Sequence, residues 1–234
     1  MTGFLATLRA EVCGANIELA RRGLAKFTFG NASGIDRERG LVVIKPSGVR
    51  YDDLRPETLT VVDLDGTVVE GALRPSSDLP THLVLYRAFA RIGGVVHTHS
   101  HYSTVWAQAC RDIPCFGTTH ADYFHGAIPV TQHLSRGDVE SEYERNTGEA
   151  IVRRFESLDP MRMPAVLVAG HASFCWGTTV SRAVETASLL ETVAHMAFDT
   201  MTLNHAAAPI PETLRDKHFF RKHGPDAYYG QVSS

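Results

Sequence analysis

The stretch GGVVHTHSHYSTVWAQ, residues 93–108, runs from an apolar segment through three alternating histidines into a helical pattern. The valines and threonine of GVVHTH favour an extended strand, and the residues that follow predict a short helix over 102–109. In a strand, side chains two apart share a face, so His97 and His99 can present two imidazoles to one ion. His101 has the same parity but falls where the strand gives way to the helix, so it is set apart from the pair.

Outward from this junction the chain alternates hairpins with single helices. Leu5, Leu8, Val12, Ala15 and Leu19 recur at steps of three or four and predict an amphipathic helix over residues 4–22, ended near Gly23. FTFGNASG reads as a strand entering a glycine-rich turn, and LVVIKPSG as a buried strand stopped by Pro46. TVVDLDGTVVEG reads as a hairpin in which Asp65-Gly66 favours a primed turn. Residues 79–90 are read as helical, and AIPVT and AVLVAG as strands. Between those two strands a charged helix is expected over 138–158, with Val139, Tyr143, Ile151 and Phe155 inward. The longest helix is expected from Thr179 to Met201, with Ala183, Leu190, Ala194, Ala197 and Met201 on one side. This order predicts an α/β fold with a mixed, mostly antiparallel sheet covered by helices, rather than strict βαβ winding. No repeat, low-complexity tract or interdomain linker interrupts the 234 residues, so residues 1–234 are read as a single domain with a C-terminal extension over 210–234.

Composition removes several classes of function. A net charge of -3 and a pI near 6.4 give no electrostatic reason to expect nucleic acid or an anionic membrane as partner. The apolar runs are far too short to span a bilayer, and MTGFLATLRAEVCG lacks the basic and apolar regions of a signal peptide. Cys13, Cys110, Cys115 and Cys175 are scattered without CxxC spacing. Reduced thiols and a cytoplasmic location are therefore expected, with any zinc held by nitrogen and oxygen.

A catalytic zinc site needs a third protein ligand and keeps a position open for substrate. AVLVAGHASFCWG places His171 at the end of an apolar strand, next to small residues that leave room for an ion. His97, His99 and His171, with a carboxylate such as Asp78 in PSSD, meet that need. Three polar turns suggest a second role. Gly30-Asn31, Ser47-Gly48 and Ser76-Ser77 each follow a strand, and if they converge they form an anion nest with Lys45 as its cation. Neither a P-loop nor a dinucleotide fingerprint occurs. For proton transfer, GTTHADYFHG gathers Thr118, Thr119, His120, Asp122 and Tyr123. The tail KHFFRKHGPDAYYGQ adds His218, Tyr228 and Tyr229. Such a tail is ordered only if something holds it, either its own subunit or a neighbour's cleft.

At seven separated blocks, almost end to end, the chain resembles the sugar-phosphate 4-epimerases of the class II (zinc) aldolase/epimerase superfamily. The blocks are FGNASGIDRERG, VIKPSGV, RPSSDLPTHLVLY, IGGVVHTHSHYSTVWAQA, GTTHADYFHGAIP, the His171 strand and DKHFFRKHGPDAYYGQ. The resemblance implies one Zn2+ per subunit, bound by Asp78, His97, His99 and His171. It implies substrate contacts from Gly30, Asn31, Ser47, Gly48, Ser76 and Ser77, further contacts from Lys45, Thr118 and His218, and acid/base roles for Asp122 and Tyr229. It also implies a three-layer α/β/α domain in a homotetramer, with residues 210–234 reaching a neighbouring subunit's active site. Aldolases of the superfamily carry SSE where this chain reads Ser76-Ser77-Asp78, and the shorter acid favours a ligand role. The chain departs from the epimerases at Ala169-Gly170, where they carry a more polar pair.

The reaction so implied is inversion at C4 of L-ribulose 5-phosphate to give D-xylulose 5-phosphate. The C4 hydrogen is β to the C2 carbonyl and is not acidic, so enolisation cannot invert that centre. Retro-aldol cleavage of C3–C4, rotation of the aldehyde and re-addition to its other face can. A Lewis-acid ion suits the charge that cleavage develops, and a held phosphate keeps the aldehyde fragment in place. Two alternatives are an aldolase that releases its aldehyde, similar to L-fuculose-phosphate aldolase, and a non-catalytic zinc or sugar-phosphate binding module.

Overall fold

Successive side chains along the strand β1 (Asn31–Asp36) meet two different helical layers, and this sets the architecture. Ser33 turns to one side, its hydroxyl 2.7 Å from His82 Nδ1 and 2.8 Å from the Tyr86 hydroxyl. Gly34 turns to the other, where an added Cβ would lie 2.6 Å from Val180 and 2.8 Å from Leu8. A larger residue there would force the helices off the sheet.

The structure, a computed structural model, describes residues 3–224 and 227–229. Helix α1 (Gly3–Arg21) leads into β1, then β2 (Leu41–Ile44), β3 (Thr60–Asp63) and β4 (Val68–Glu70). Helix α2 (Leu79–Ala88), strand β5 (Gly94–Thr98), and helices α3 (His101–Gln108), α4 (Thr118–Ala121), α5 (Arg136–Glu140) and α6 (Tyr143–Arg154) follow. Strands β6 (Ala165–Leu167) and β7 (Ser173–Gly177) and helices α7 (Val180–Leu203) and α8 (Glu212–Phe220) complete the described chain. The strands form one seven-stranded sheet among the described residues, in the order β4-β3-β2-β1-β5-β7-β6, with every ladder antiparallel. Helices α1 and α7 pack on one face and α2 on the other, the expected three layers. No helix among the described residues is long and apolar enough to cross a membrane.

The central strands are buried on both faces, which is why they read as unbroken apolar runs: Val42, Val43, Ile44, Val95 and Val96 are all fully enclosed. Register then positions the site. His97 stands opposite Asn31 on β1 and opposite Phe174 on β7, so these three side chains share the α2 face.

Several sequence expectations are corrected. FTF does not extend the first strand: Phe27 has φ +56° and Phe29 N–H closes a turn onto Lys26. The turn at Asp65-Gly66 is not a type I′ turn, which needs both residues at positive φ, because only Gly66 of the pair is there. Asp63 decides its shape instead, its carboxylate accepting the amides of Asp65 and Thr67, each at 2.9 Å. AIPVT forms only isolated bridges, Ile113 with Ile128 and Val130 with Leu167, since Pro129 has no N–H for a ladder. The charged helix over 138–158 is broken at Ser141 into α5 and α6, and Asn146 reaches back to the freed Asp138 carbonyl. That break leaves Val139 outward, 51% exposed, where an unbroken helix would turn it inward. Strand β7, SFCWG, is an element that the sequence pattern does not announce. The C-terminal helix α8 packs against α4 of its own chain, and residues 225, 226 and 230–234 of the expected extension lie outside the described residues.

Candidate metal centre and surrounding cavity

Strand β5 ends just as it delivers its histidines. His97 is its buried penultimate residue, while His99 lies just beyond and is exposed. The tight β6–β7 turn brings His171 to them, closed by Val168 N–H to Ala172 O at 2.8 Å and His171 N–H to Val168 O at 2.9 Å. Gly170 in that turn has φ +71°, a conformation that disfavours a side chain. This accounts for glycine in the pair before His171.

One ring nitrogen from each of His97, His99 and His171 falls in a group whose members all lie within 4.8 Å of one another. The donor chemistry fits a metal ion. His97 Nδ1 donates to the Ser173 carbonyl at 2.9 Å, which leaves the Nε2 lone pair for the cavity. His97 Nε2 and His99 Nε2 are 3.1 Å apart. A tetrahedral ion with N bonds of about 2.0–2.1 Å would set two ligands roughly 3.3 Å apart. Burial lowers the pKa of His99 and, together with the neighbouring His97 and His99, lowers that of His171 to about 4. Both shifts favour the neutral imidazole, the form that binds a metal. His101 opens α3, exposed and packed on Tyr102, away from the cluster.

Around the histidines lies a cavity of about 410 Å³, lined by Gly30, Asn31, Lys45, Ser47, Gly48, Ser76, Ser77 and Asp78 among others. The three polar turns thus converge on one cavity. A Cβ on Gly30 would sit 2.7 Å from the His97 carbonyl, so a glycine lets that turn press onto the histidine strand. Asn31 donates to the Asp78 carboxylate at 2.7 Å and to the Ser76 hydroxyl at 3.0 Å. Its Oδ1 is buried without a partner, an acceptor available to a ligand hydroxyl. Lys45 is buried, and burial alone lowers its pKa to about 8. An anion beside it would favour its charged form. Asp78 lines the cavity beside the histidines but outside their close cluster, its carboxylate engaged by Asn31. Burial raises its pKa, but the neighbouring His97 and His82 and the Asn31 hydrogen bond outweigh it, to a net depression.

The remaining expected residues form a second group. Asp122 caps α4 and binds the α8 end: His218 Nδ1 at 3.0 Å, Arg221 Nη2 to both carboxylate oxygens at 2.9 Å each, and Lys222 Nζ at 3.3 Å. Burial pushes the Asp122 carboxyl up, but hydrogen bonds from Arg221, His218 and Lys222 outweigh it and hold it below the usual range. Thr118 begins α4 and accepts the Asp122 amide through its carbonyl. Tyr229 is 61% exposed, with Lys222 Nζ 4.4 Å from its ring centre. None of Thr118, Asp122, His218 and Tyr229 lines the histidine cavity, so one chain holds the two groups apart.

Sequence reasoning misses Tyr143, Glu144 and Phe29, which also line the cavity. The sequence presents Tyr143 only as an inward helix residue. Its hydroxyl lies 3.2 Å from His171 Nδ1, and helical spacing carries no signal for such a contact. His82, buried behind the cluster, gives no signal either.

Two deeply buried histidines predict acid sensitivity. Burial lowers the pKa of His82 to about 3 and of His120 to about 4, against an ordinary value of 6.5. In the unfolded chain both take a proton as pH falls through about 6.5, while the fold refuses it until near 4 at His120 and near 3 at His82, so stability falls across that window. A tenfold difference in proton affinity between folded and unfolded chain is worth about 1.4 kcal/mol, so the fall is on the order of several kcal/mol. Melting temperatures measured from pH 7.5 to 4.5 should show it, and His120→Gln should flatten the slope. An unaltered slope would remove His120 from the acid response.

Residues 10–198 match the family model for the Class II Aldolase and Adducin N-terminal domain. The chain is 53% identical over 224 residues to an L-ribulose-5-phosphate 4-epimerase, UlaF, of Salmonella paratyphi B, covering 96% of this chain and 98% of that protein. The UlaF protein of Salmonella paratyphi A is 52% identical, with the same shares of 96% and 98%. Among solved structures, an L-fuculose 1-phosphate aldolase superposes with a TM-score of 0.77 at 24% identity, over 91% of this chain and 94% of that one. An aldolase II superfamily protein from Pseudomonas syringae superposes with a TM-score of 0.78 at 16% identity, over 97% and 90%.

Proposed function

Because the chain belongs to the class II aldolase and adducin N-terminal domain family, we propose that it is a metal-dependent epimerase interconverting L-ribulose 5-phosphate and D-xylulose 5-phosphate. The observation that carries this reading is the meeting, in one cavity of about 410 Å³, of three metal-competent histidines with polar turns and a buried lysine. It stands in a chain 53% identical to an epimerase of that name.

In this reading His97, His99 and His171 would hold a zinc ion, with Asp78 as its oxygen donor. When bound, the ion would supply Lewis acidity toward the charge that develops as C3–C4 breaks. The turns at Gly30, Ser47-Gly48 and Ser76-Ser77 grip the phosphate with Lys45, so that the aldehyde fragment turns without leaving. Asn31 Oδ1 accepts a substrate hydroxyl. Asp122 and Tyr229 move the C4-oxygen proton on the two faces, with Thr118 and His218 beside them. Because these lie away from the cavity within one chain, they serve the cavity of a neighbouring subunit, in a homotetramer where residues 210–234 form the bridge. Asp122, held ionised by Arg221 and Lys222 with the His218 hydrogen bond, enters as proton acceptor.

The test is to incubate the metal-loaded protein with L-ribulose 5-phosphate and measure metal content alongside. D-Xylulose 5-phosphate is the expected product. Accumulating glycolaldehyde phosphate and dihydroxyacetone would replace the epimerase by an aldolase, and the absence of turnover would overturn both.

A further inference from the structure

The far ring nitrogens of two cluster histidines are held differently. His97 Nδ1 meets a backbone carbonyl, that of Ser173, which no side-chain change removes. His171 Nδ1 meets a side chain, the Tyr143 hydroxyl, at 3.2 Å. The rings of the two residues are tilted by 35° with centres 6.1 Å apart, so the contact is made at the hydroxyl and not by stacking. Tyr143 is itself anchored. It is the first residue of α6, and the carbonyl of its neighbour Glu144 accepts from the Thr81 hydroxyl on α2. The break at Ser141, which splits the charged segment in two, is what starts α6 at the cavity edge.

We propose that Tyr143 is a positioning residue: its hydroxyl accepts the Nδ1 proton of His171, fixing the tautomer and ring orientation that present Nε2 to the metal. An imidazole whose proton sits on Nε2 cannot donate that lone pair, and a ring free to rotate about its side-chain bonds loses entropy on binding the ion. Partners that remove both costs typically contribute 10–100-fold to metal affinity. The His171 turn needs this support because its own hydrogen bonds, from Gly170 to Ala107 and from Ala169 to Thr131, hold backbone and not the ring.

The inference rests on the reading of the three histidines as metal ligands, and the test separates the two. Zinc affinity is measured by competition with a chromogenic chelator for the unaltered protein, Tyr143→Phe and His171→Asn. The visible spectrum of the cobalt-loaded forms is recorded as well. Tyr143→Phe keeps the ring and its packing, so its melting temperature should stay close to that of the unaltered protein. Its zinc affinity should fall about 10–100-fold, its cobalt bands should shift, and saturating metal should restore most of its turnover. If the unaltered protein binds no zinc, the metal reading fails. If it binds zinc and Tyr143→Phe binds equally well with the same cobalt spectrum, the positioning role fails while the metal site stands. If Tyr143→Phe unfolds, Tyr143→His, which retains a polar group for Nδ1, is measured in its place, and affinity unchanged from that of Tyr143→Leu overturns the inference.

Discussion

Replacing His171 by Asn should empty the metal centre and cut epimerisation by about 1,000-fold or more, since Lewis-acid stabilisation is worth several kcal/mol. The cluster would keep His97 and His99, only 3.1 Å apart on one strand end, without the third nitrogen that the β6–β7 turn brings to them. The fold should survive, because the turn is closed by backbone hydrogen bonds from Val168 and from His171 N–H, none of which uses the imidazole. Metal content by mass spectrometry, melting temperature and turnover should be read together. A variant that keeps full metal content would remove His171 from the ligand set.

Tyr229→Phe should lower epimerisation by about 100-fold while leaving the metal bound, the effect expected if Tyr229 is the proposed acid/base group. Subunit mixing gives the stronger form of this test. Tyr229 and Asp122 lie outside the histidine cavity of their own chain, so the proposed site combines one subunit's histidines with another's tyrosine. Co-refolding His171→Asn with Tyr229→Phe should then recover activity absent from either parent, because some hybrid interfaces pair an intact histidine cluster with an intact tyrosine. Hybrids that form but stay inactive would return Tyr229 to its own chain's cavity or remove it from the chemistry.

Much of the candidate metal centre is legible in the chain because its signals are local. The parity of His97 and His99 follows from strand geometry, and His171 from an apolar run that ends in small residues. The apolar runs also announce the buried central strands. Turns and breaks are less legible where a side chain overrides propensity. Asp63 reshapes the Asp65-Gly66 turn, Pro129 keeps AIPVT out of the sheet, and the departure at Ser141 turns one expected helix into two.

What the sequence by itself determined was which residue types exist in strand-end and turn positions able to bind a metal and an anion. Only the tertiary structure decided which of them share a cavity. It brought Asn31, Lys45, Ser76 and His171 together, set Asp122 and Tyr229 apart, and placed the Tyr143 hydroxyl on His171. The reason is physical: periodicity reports which way a side chain faces within its own element. The distance between two elements is set by sheet register and by the packing of helices on both faces, which depend on the whole core at once.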